Sequence, residues 1–332
     1  MANTALPKES LILVTGATGF IGANTVFEAL EAGFRVRGTS RSKESAAKLE
    51  ASLNNHPKFA SAIVPDVSQE GAWDEAVKGV DAIIHMATDT SFSPDPNVVV
   101  TATEEGVRNI LRSSKKAGVK RFVLTSSSAA VLFPVSNKDI TVEVNDWNQE
   151  ALDAAWAPPP YTEERAFAVY AASKAAMEKA MWKFAEDEKP HFTVNSILPD
   201  FNVGRILTSG GPTGSSVEML LNGSVPPFPN QYHIDVIDDA RIHVIAAAMD
   251  PGVENERIFA FARPFQFTEM IKDLHELRPG VQTIAQPPEN EGHDLSKVPN
   301  ARGAELLKKW YGQDEYKTMR QSIEEALATL KV

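Results

Sequence analysis

Leu11-Ile12-Leu13-Val14-Thr15-Gly16-Ala17-Thr18-Gly19-Phe20-Ile21-Gly22 runs an apolar, β-branched stretch into three spaced glycines and on into an amphipathic segment. Each glycine answers a different steric demand. Gly16 permits a tight strand-to-helix turn, Gly19 lets the backbone approach a pyrophosphate, and Gly22 lets the helix pack closely on the strand. Spaced glycines alone are compatible with any tight turn. Placement in the first βα unit makes them a nucleotide signal, with phosphates resting on the helix N-terminus. Gly16, Thr18, Gly19, Phe20, Ile21 and Gly22 are therefore the candidate phosphate cradle.

About twenty residues beyond this turn, the end of the second strand reports which dinucleotide is taken. The residues there are Thr39-Ser40-Arg41. No carboxylate is present to bind a ribose 2′-hydroxyl, whereas the Arg41 guanidinium offers a fork of donors to a 2′-phosphate. NADP(H) is favoured over NAD(H), with Lys43 and Lys48 adding positive charge nearby.

Outward from the turn, apolar runs at 11–15, 35–39, 62–64, 82–85, 121–125 and 193–198 alternate with helical spacing at 20–33, 42–53, 70–78, 98–117 and 161–187. Strands buried on both faces and joined by crossover helices predict an α/β fold, a Rossmann-type doubly wound parallel sheet. The alternation ends after Leu198, where Gly210, Gly211, Pro212 and Gly214 and then Pro226, Pro227 and Pro229 interrupt it. Residues 1–198 are read as the NADP-binding domain and 199–332 as a smaller mixed α/β substrate lobe, some of whose later segments return to the first. Helices are expected in that lobe near 216–222, 238–249, 267–276, 301–310 and 314–330, and short strands near 233–237 and 257–261. The acidic 143–153 region reads as a surface excursion.

The 332 residues exceed the size at which one hydrophobic core stops growing, in keeping with two lobes. A net charge of -11 opposes binding to phosphate backbones, so no nucleic-acid partner is expected. Zero cysteines exclude disulfides, thiolate nucleophiles and cysteine zinc sites. The seven histidines include no H-x-x-x-H pair, so no metal is expected. No basic segment followed by an apolar run opens the chain, and no apolar stretch approaches membrane-spanning length. A cytoplasmic protein without membrane contact, monomer or homodimer, is the expectation.

Tyr170-Ala171-Ala172-Ser173-Lys174 lies inside a helical stretch, so a phenol and an ammonium share one face. A tyrosine has to fall from about 10 to about 7 to serve as a base near neutrality, worth about 4 kcal/mol. One adjacent cation gives about 1–3 pK units, so Lys174 is expected to supply most of that change. Tyr170 then becomes a general acid or base. Upstream, Phe122-Val123-Leu124-Thr125-Ser126-Ser127-Ser128 is a strand ending in hydroxyls, where open α/β sheets place ligands.

In this order, Gly16-x-x-Gly19-x-x-Gly22, Pro65-Asp66-Val67, His85-Met86-Ala87, Leu124-Thr125-Ser126-Ser127 and Tyr170-x-x-x-Lys174 resemble the extended short-chain dehydrogenase/reductase superfamily over nearly the whole chain. Asn55-His56-Pro57-Lys58-Phe59 and the run from Thr125 to Val131 are most similar to the dihydroflavonol reductase branch, with its yeast and fungal methylglyoxal/isovaleraldehyde reductases and aldehyde reductases. The resemblance implies a catalytic triad of Ser127, Tyr170 and Lys174, with Ser128 the alternative should the strand register slip by one. It implies adenine contacts from Asp66 and Val67, and nicotinamide-ribose contacts from Ala87, Thr88 and Lys174. Pro199 and Val203 are the candidate contacts in the segment beside the nicotinamide. That segment departs from the family, carrying Arg205 where relatives have a second proline. Tyr232-His233-Ile234-Asp235-Val236-Ile237-Asp238-Asp239 corresponds to the family's Tyr-Ile-Asp-Val-Arg-Asp segment.

The expected activity is reversible, NADPH-dependent reduction of a hydrophobic aldehyde or ketone. Asp89, Phe92, Val131, Phe133, Phe201 and Tyr232 are candidate pocket residues, and a largely apolar wall suits such substrates over sugars. Two alternatives stand beside this reading. A nucleotide-sugar epimerase or dehydratase would keep the triad but favour NAD, and a non-enzymatic NADP-sensing regulator would keep the glycine turn without the tyrosine-lysine pair.

Overall fold

The computed structural model describes residues 3–330. β1 (Leu11–Thr15), α1 (Phe20–Glu31), β2 (Arg35–Ser40), α2 (Lys43–Ser52), β3 (Phe59–Ile63), β4 (Ala82–His85), α3 (Pro96–Ala117) and β5 (Arg121–Thr125) follow one another first. Then come α4 (Gln149–Ala155), α5 (Ala166–Glu188), β6 (Thr193–Pro199), β7 (Phe201–Val203), α6 (Gly211–Gly214) and α7 (Ser216–Leu221). β8 (Tyr232–Asp235), α8 (Val236–Val244), β9 (Arg257–Ala260), β10 (Arg263–Pro264), α9 (Phe267–Leu277), α10 (Ala301–Tyr311) and α11 (Met319–Thr329) complete the chain.

Seven parallel strands form the main sheet in the order β3-β2-β1-β4-β5-β6-β9. Every residue of β1, β4 and β5 is buried, as expected of strands covered on both faces. The period of two divides them. Ile12, Val14 and Ile84 face α1, α8 and α10, while Leu13 and Ile83 face α3 and α5. Strand order reverses between β1 and β4, which opens a crevice at the C-terminal ends of those strands. A second sheet, β10-β8-β7, is small and mixed, with β7 parallel and β10 antiparallel to β8. Its aromatic core joins Phe201, Phe265 and Phe267 to residues of α7, α9 and α11.

Several segments beyond Leu198 lie against the main sheet. β9 pairs with β6, and α8 and α10 pack with α1 in the same core cluster. Residues 70–78 depart from the helix their spacing predicts. Trp73, Ala76 and Val77 are buried at that spacing, but Gly71 and Gly79 take left-handed φ values of 77° and 70°, and i→i+3 bonds such as Asp74 N–H to the Gly71 carbonyl dominate. The segment is a chain of turns. β8 ends at Asp235 because that side chain accepts the Ile237 N–H and caps α8. No helix among the described residues is long and apolar enough to cross a membrane.

Candidate active site

The glycine turn meets the crevice through backbone contacts that leave no room for side chains. Gly16 has φ 65°, and a Cβ there would sit 3.0 Å from the Ala87 nitrogen. A Cβ on Gly22 would lie 2.2 Å from the Gly16 carbonyl oxygen. Gly19 occupies the N-cap of α1 without a side-chain cap, and the first turn carries no acidic residue. The first amides of the helix have no partner within it, so this end is arranged for an anion. Thr18 is tied down from across the crevice, its carbonyl accepting the Thr208 hydroxyl at 2.9 Å. Phe20 is buried beside Val236 and Ile237, with Ile21 packed against the same cluster.

Arg41 is exposed beyond the end of β2 and forms no ion pair among the described residues. Lys48 lies farther along α2 and is paired with Glu44 at 2.7 Å, so its charge is partly satisfied within the helix. The Asp66 carboxylate is exposed but fixed, accepting from the Ser68 hydroxyl, the Ser68 N–H and the Gln69 amide. These bonds, with the Ser68 hydroxyl foremost, hold its pKa below the ordinary carboxylate value. Val67 beside it packs toward α3 at Gly106. Ala87 and Thr88 follow β4, and the Thr88 hydroxyl oxygen is buried without a protein partner. An orphaned hydroxyl, an uncapped helix end and a cradle that a Cβ would fill all fit a dinucleotide laid across β1 and β4.

The three consecutive serines after β5 are sorted by their partners. Ser126 donates to Glu178 at 2.7 Å and Ser128 donates to Asp200 at 2.8 Å. Ser127 caps a single 3₁₀ turn at Ser128–Ala130, its oxygen accepting the Ala129 N–H at 3.2 Å. Its hydroxyl is left to face Tyr170, and the hydrogen bond between the two works to lower the phenol's pKa. Tyr170 and Lys174 lie one turn apart on α5. The Lys174 ammonium donates to the Thr125 carbonyl at 3.1 Å, which carries α5 onto the end of β5.

The electrostatics reverse one expectation. Tyr170 is raised above its ordinary value, because burial, with Asp200 adding to it, outweighs the Ser127 hydrogen bond. Lys174 is not among the groups that move it. Burial instead pushes Lys174 down to about 8, with Glu178 one turn farther along acting in the opposite direction. Glu178 is fully buried yet satisfied by Ser126, Ser196, Trp182 and Arg257.

Two candidate pocket residues come together around the phenol. The Phe92 ring lies 5.1 Å from that of Tyr170, and Phe133 is 5.7 Å from Phe167, which in turn is 6.2 Å from Tyr170. Phe92 holds a left-handed φ of 53°, an unfavourable conformation for an aromatic residue and one that gathers at functional sites. Asp89 accepts the Ser91 N–H at 2.7 Å and shapes the loop before it. The other three have different surroundings. Phe201 is buried in the second sheet's aromatic core, 4.8 Å from Phe265. Val131 and Tyr232 share a buried cluster with Leu198 and Phe261, and the Tyr232 hydroxyl donates to the Ser296 carbonyl at 2.8 Å. Pro199 closes β6 and Val203 is fully buried in β7.

Phe167 and Asp200 escaped the sequence reading. Phe167 was signalled only by its i,i+3 spacing from Tyr170. Asp200 gave no signal, since its partners lie 72 and 32 residues away. The Arg205 departure has a structural account. Its guanidinium lies 4.1 Å over Phe27, donates to Asn24 and pairs with Glu28 at 3.1 Å, fastening the segment after β7 to α1.

Residues 12–201 match the family model described as the NAD dependent epimerase/dehydratase family. The chain belongs to that family. It is 37% identical to the NAD-dependent epimerase/dehydratase terH of Aspergillus terreus, with 97% of each chain covered. It is 36% identical to aldehyde reductase 2 of Sporidiobolus salmonicolor, with 98% of each covered. Among solved structures it is similar to yeast methylglyoxal/isovaleraldehyde reductase Gre2 complexed with NADPH, with a TM-score of 0.80, 25% identity, and 96% of this chain and 97% of that one covered. The resemblance to the extended short-chain dehydrogenase/reductases is thereby borne out, as is the Rossmann-type fold.

Proposed function

We propose that this protein is an NADPH-dependent oxidoreductase that reduces an aldehyde or ketone to an alcohol, with Tyr170 as the proton donor. What supports the reading is the hydrogen bond between Ser127 and Tyr170 together with that from Lys174 to the Thr125 carbonyl, where α5 meets the end of β5. The likeness to aldehyde reductase 2 and to the NADPH-bound Gre2 reductase supports it.

The cofactor would lie with its pyrophosphate on Gly16, Gly19 and the first turn of α1, its 2′-phosphate near Arg41 and its nicotinamide ribose near Thr88 and Lys174. When bound, NADPH supplies the hydride. Ser127 and Tyr170 hold the carbonyl oxygen, and the Tyr170 hydroxyl passes its proton to the oxygen as negative charge develops there. A phenol raised above its ordinary value is protonated at neutrality, which is the state reduction requires. Lys174, held at the end of β5 by the Thr125 carbonyl, would orient the ribose. The rings of Phe92, Phe133 and Phe167 suit a flat or apolar substituent on the carbonyl carbon.

Following absorbance of the reduced nicotinamide against a panel of aldehydes, ketones and nucleotide sugars tests the reading. NADPH consumption with hydrophobic carbonyls and none with nucleotide sugars is expected. Turnover of a nucleotide sugar without net cofactor consumption would favour an epimerase, and inertness toward every carbonyl would overturn reduction.

A further inference from the structure

Asp200 stands at the junction of β6 and β7 and belongs to none of the expected catalytic or cofactor sets. Its two carboxylate oxygens are used by opposite sides of the site. Oδ1 accepts the Ser128 hydroxyl at 2.8 Å, on the short turn whose cap is Ser127. Oδ2 accepts the Tyr232 N–H at 3.0 Å, at the first residue of β8 in the second sheet. Leu132, Pro134, Phe261 and Asp294 line a small cavity together with Ser128 and Asp200. The Asp294 carboxylate is itself engaged by the Ser296 N–H at 2.8 Å.

The geometry points to Asp200 as a positioning residue: a strut joining the Ser127 turn to the second sheet, so that the serine hydroxyl is held in register with Tyr170. This rests on the reductase reading. A turn of three residues has little rigidity of its own; Asn148 braces its far end through the Ala129 and Ala130 carbonyls, whereas Asp200 holds the Ser128 side chain next to Ser127. Ser127 cannot be fixed by a side-chain partner without losing the hydroxyl that faces the substrate. The neighbouring Ser128 can, and Asp200 supplies that anchor. Displacing a reacting group by about 1 Å costs on the order of 10²-fold in rate, so a strut one residue away has a large kinetic lever.

The strut makes distinct predictions for three variants of the full chain, assayed by NADPH consumption with a carbonyl substrate that the wild type reduces. Asp200→Ala removes both bonds and lowers kcat by about tenfold or more, with NADPH affinity within about twofold of wild type. Asp200→Asn keeps both, since its amide oxygen accepts from Tyr232 and its NH₂ donates to the Ser128 oxygen. It retains kcat within about threefold of wild type. Ser128→Ala lowers kcat in the wild-type background but adds nothing to Asp200→Ala, because the same strut is already cut.

Three results would overturn the strut: wild-type kcat in Asp200→Ala, an Asp200→Asn variant as slow as the alanine, or losses that multiply in the double variant. If Asp200→Ala fails to fold, Asp200→Asn and Ser128→Ala decide the matter. Strong kcat retention in Asp200→Asn with a loss in Ser128→Ala then supports the strut, and any other pattern overturns it. A wild-type protein that consumes no NADPH with any carbonyl overturns the reductase reading itself, and the strut with it.

Discussion

The phenol of Tyr170 and the ammonium of Lys174 are shifted in opposite senses, and burial is the first cause of both. Desolvation disfavours whichever form is charged, so it keeps the tyrosine protonated and eases the lysine toward its neutral amine. Reduction then has a defined alkaline limit. Lys174 loses its charge as pH rises through about 8, and Asp200, pushed up to about 8 by burial, gains one in the same range, so kcat/KM for carbonyl reduction should hold through neutrality and decline above about pH 8. A profile that stays flat well into the alkaline range would show that neither change of charge matters to the reaction. At the other end of the cofactor, Arg41 is expected to read the 2′-phosphate. A charge-assisted hydrogen bond contributes about 1.5–3 kcal/mol, so Arg41→Ala should weaken NADPH binding by about 10–100-fold and leave NADH nearly unchanged. Calorimetry with both coenzymes measures this, and equal losses for the two would contradict the assignment. The identity of these residues was legible because they stand at fixed offsets from a strand end or within one helix turn. The direction of the tyrosine shift was not, because it is set first by burial, which elements distant in the chain impose, with Asp200 only adding to it.

At the scale of elements, the glycine turn is the most constrained piece of the molecule. A methyl group on Gly22 would meet the Gly16 carbonyl oxygen at 2.2 Å, and neither backbone can yield without moving α1 away from β1. Gly22→Ala should therefore weaken NADPH binding by about tenfold or more, about 1.4 kcal/mol, and lower the melting temperature as well. Unchanged binding by titration would refute the close packing. Strands β1, β4 and β5 were legible to the residue, since each is a continuous apolar run buried on both faces. The 70–78 segment was not, because buried Trp73, Ala76 and Val77 mimic a helical stripe while the left-handed glycines at either end impose turns. The start of α8 was displaced for a similar local reason. Asp235 ends one element and caps the next, a role its side-chain bond reveals and its hydropathy does not.

Over the whole molecule, the chain leaves the main sheet after β6, builds most of the second lobe, and comes back through α8, β9 and α10. Hydropathy marks the departure through loss of alternation, but strand pairing over such distances leaves no periodic trace. The two parts are fastened where α1 meets the later chain. Glu28, buried on α1, pairs with Arg205 at 3.1 Å and Arg241 at 3.0 Å. Removing one member of a buried ionic network leaves its partners uncompensated, at a cost of about 3 kcal/mol. Glu28→Ala should lose about that much in denaturant unfolding, and a loss under about 0.5 kcal/mol would show that the fastening is incidental.

Carbonyl reduction here depends most on the Tyr170 hydroxyl acting as the proton donor beside the reduced nicotinamide. The direct measurement is single-turnover NADPH oxidation by Tyr170→Phe and wild type, with coenzyme affinity determined on the same samples. The variant should bind NADPH within about twofold of wild type and reduce the carbonyl about 10²–10⁴-fold more slowly. A phenylalanine variant that turns over at the wild-type rate would show that the phenol is not the proton donor.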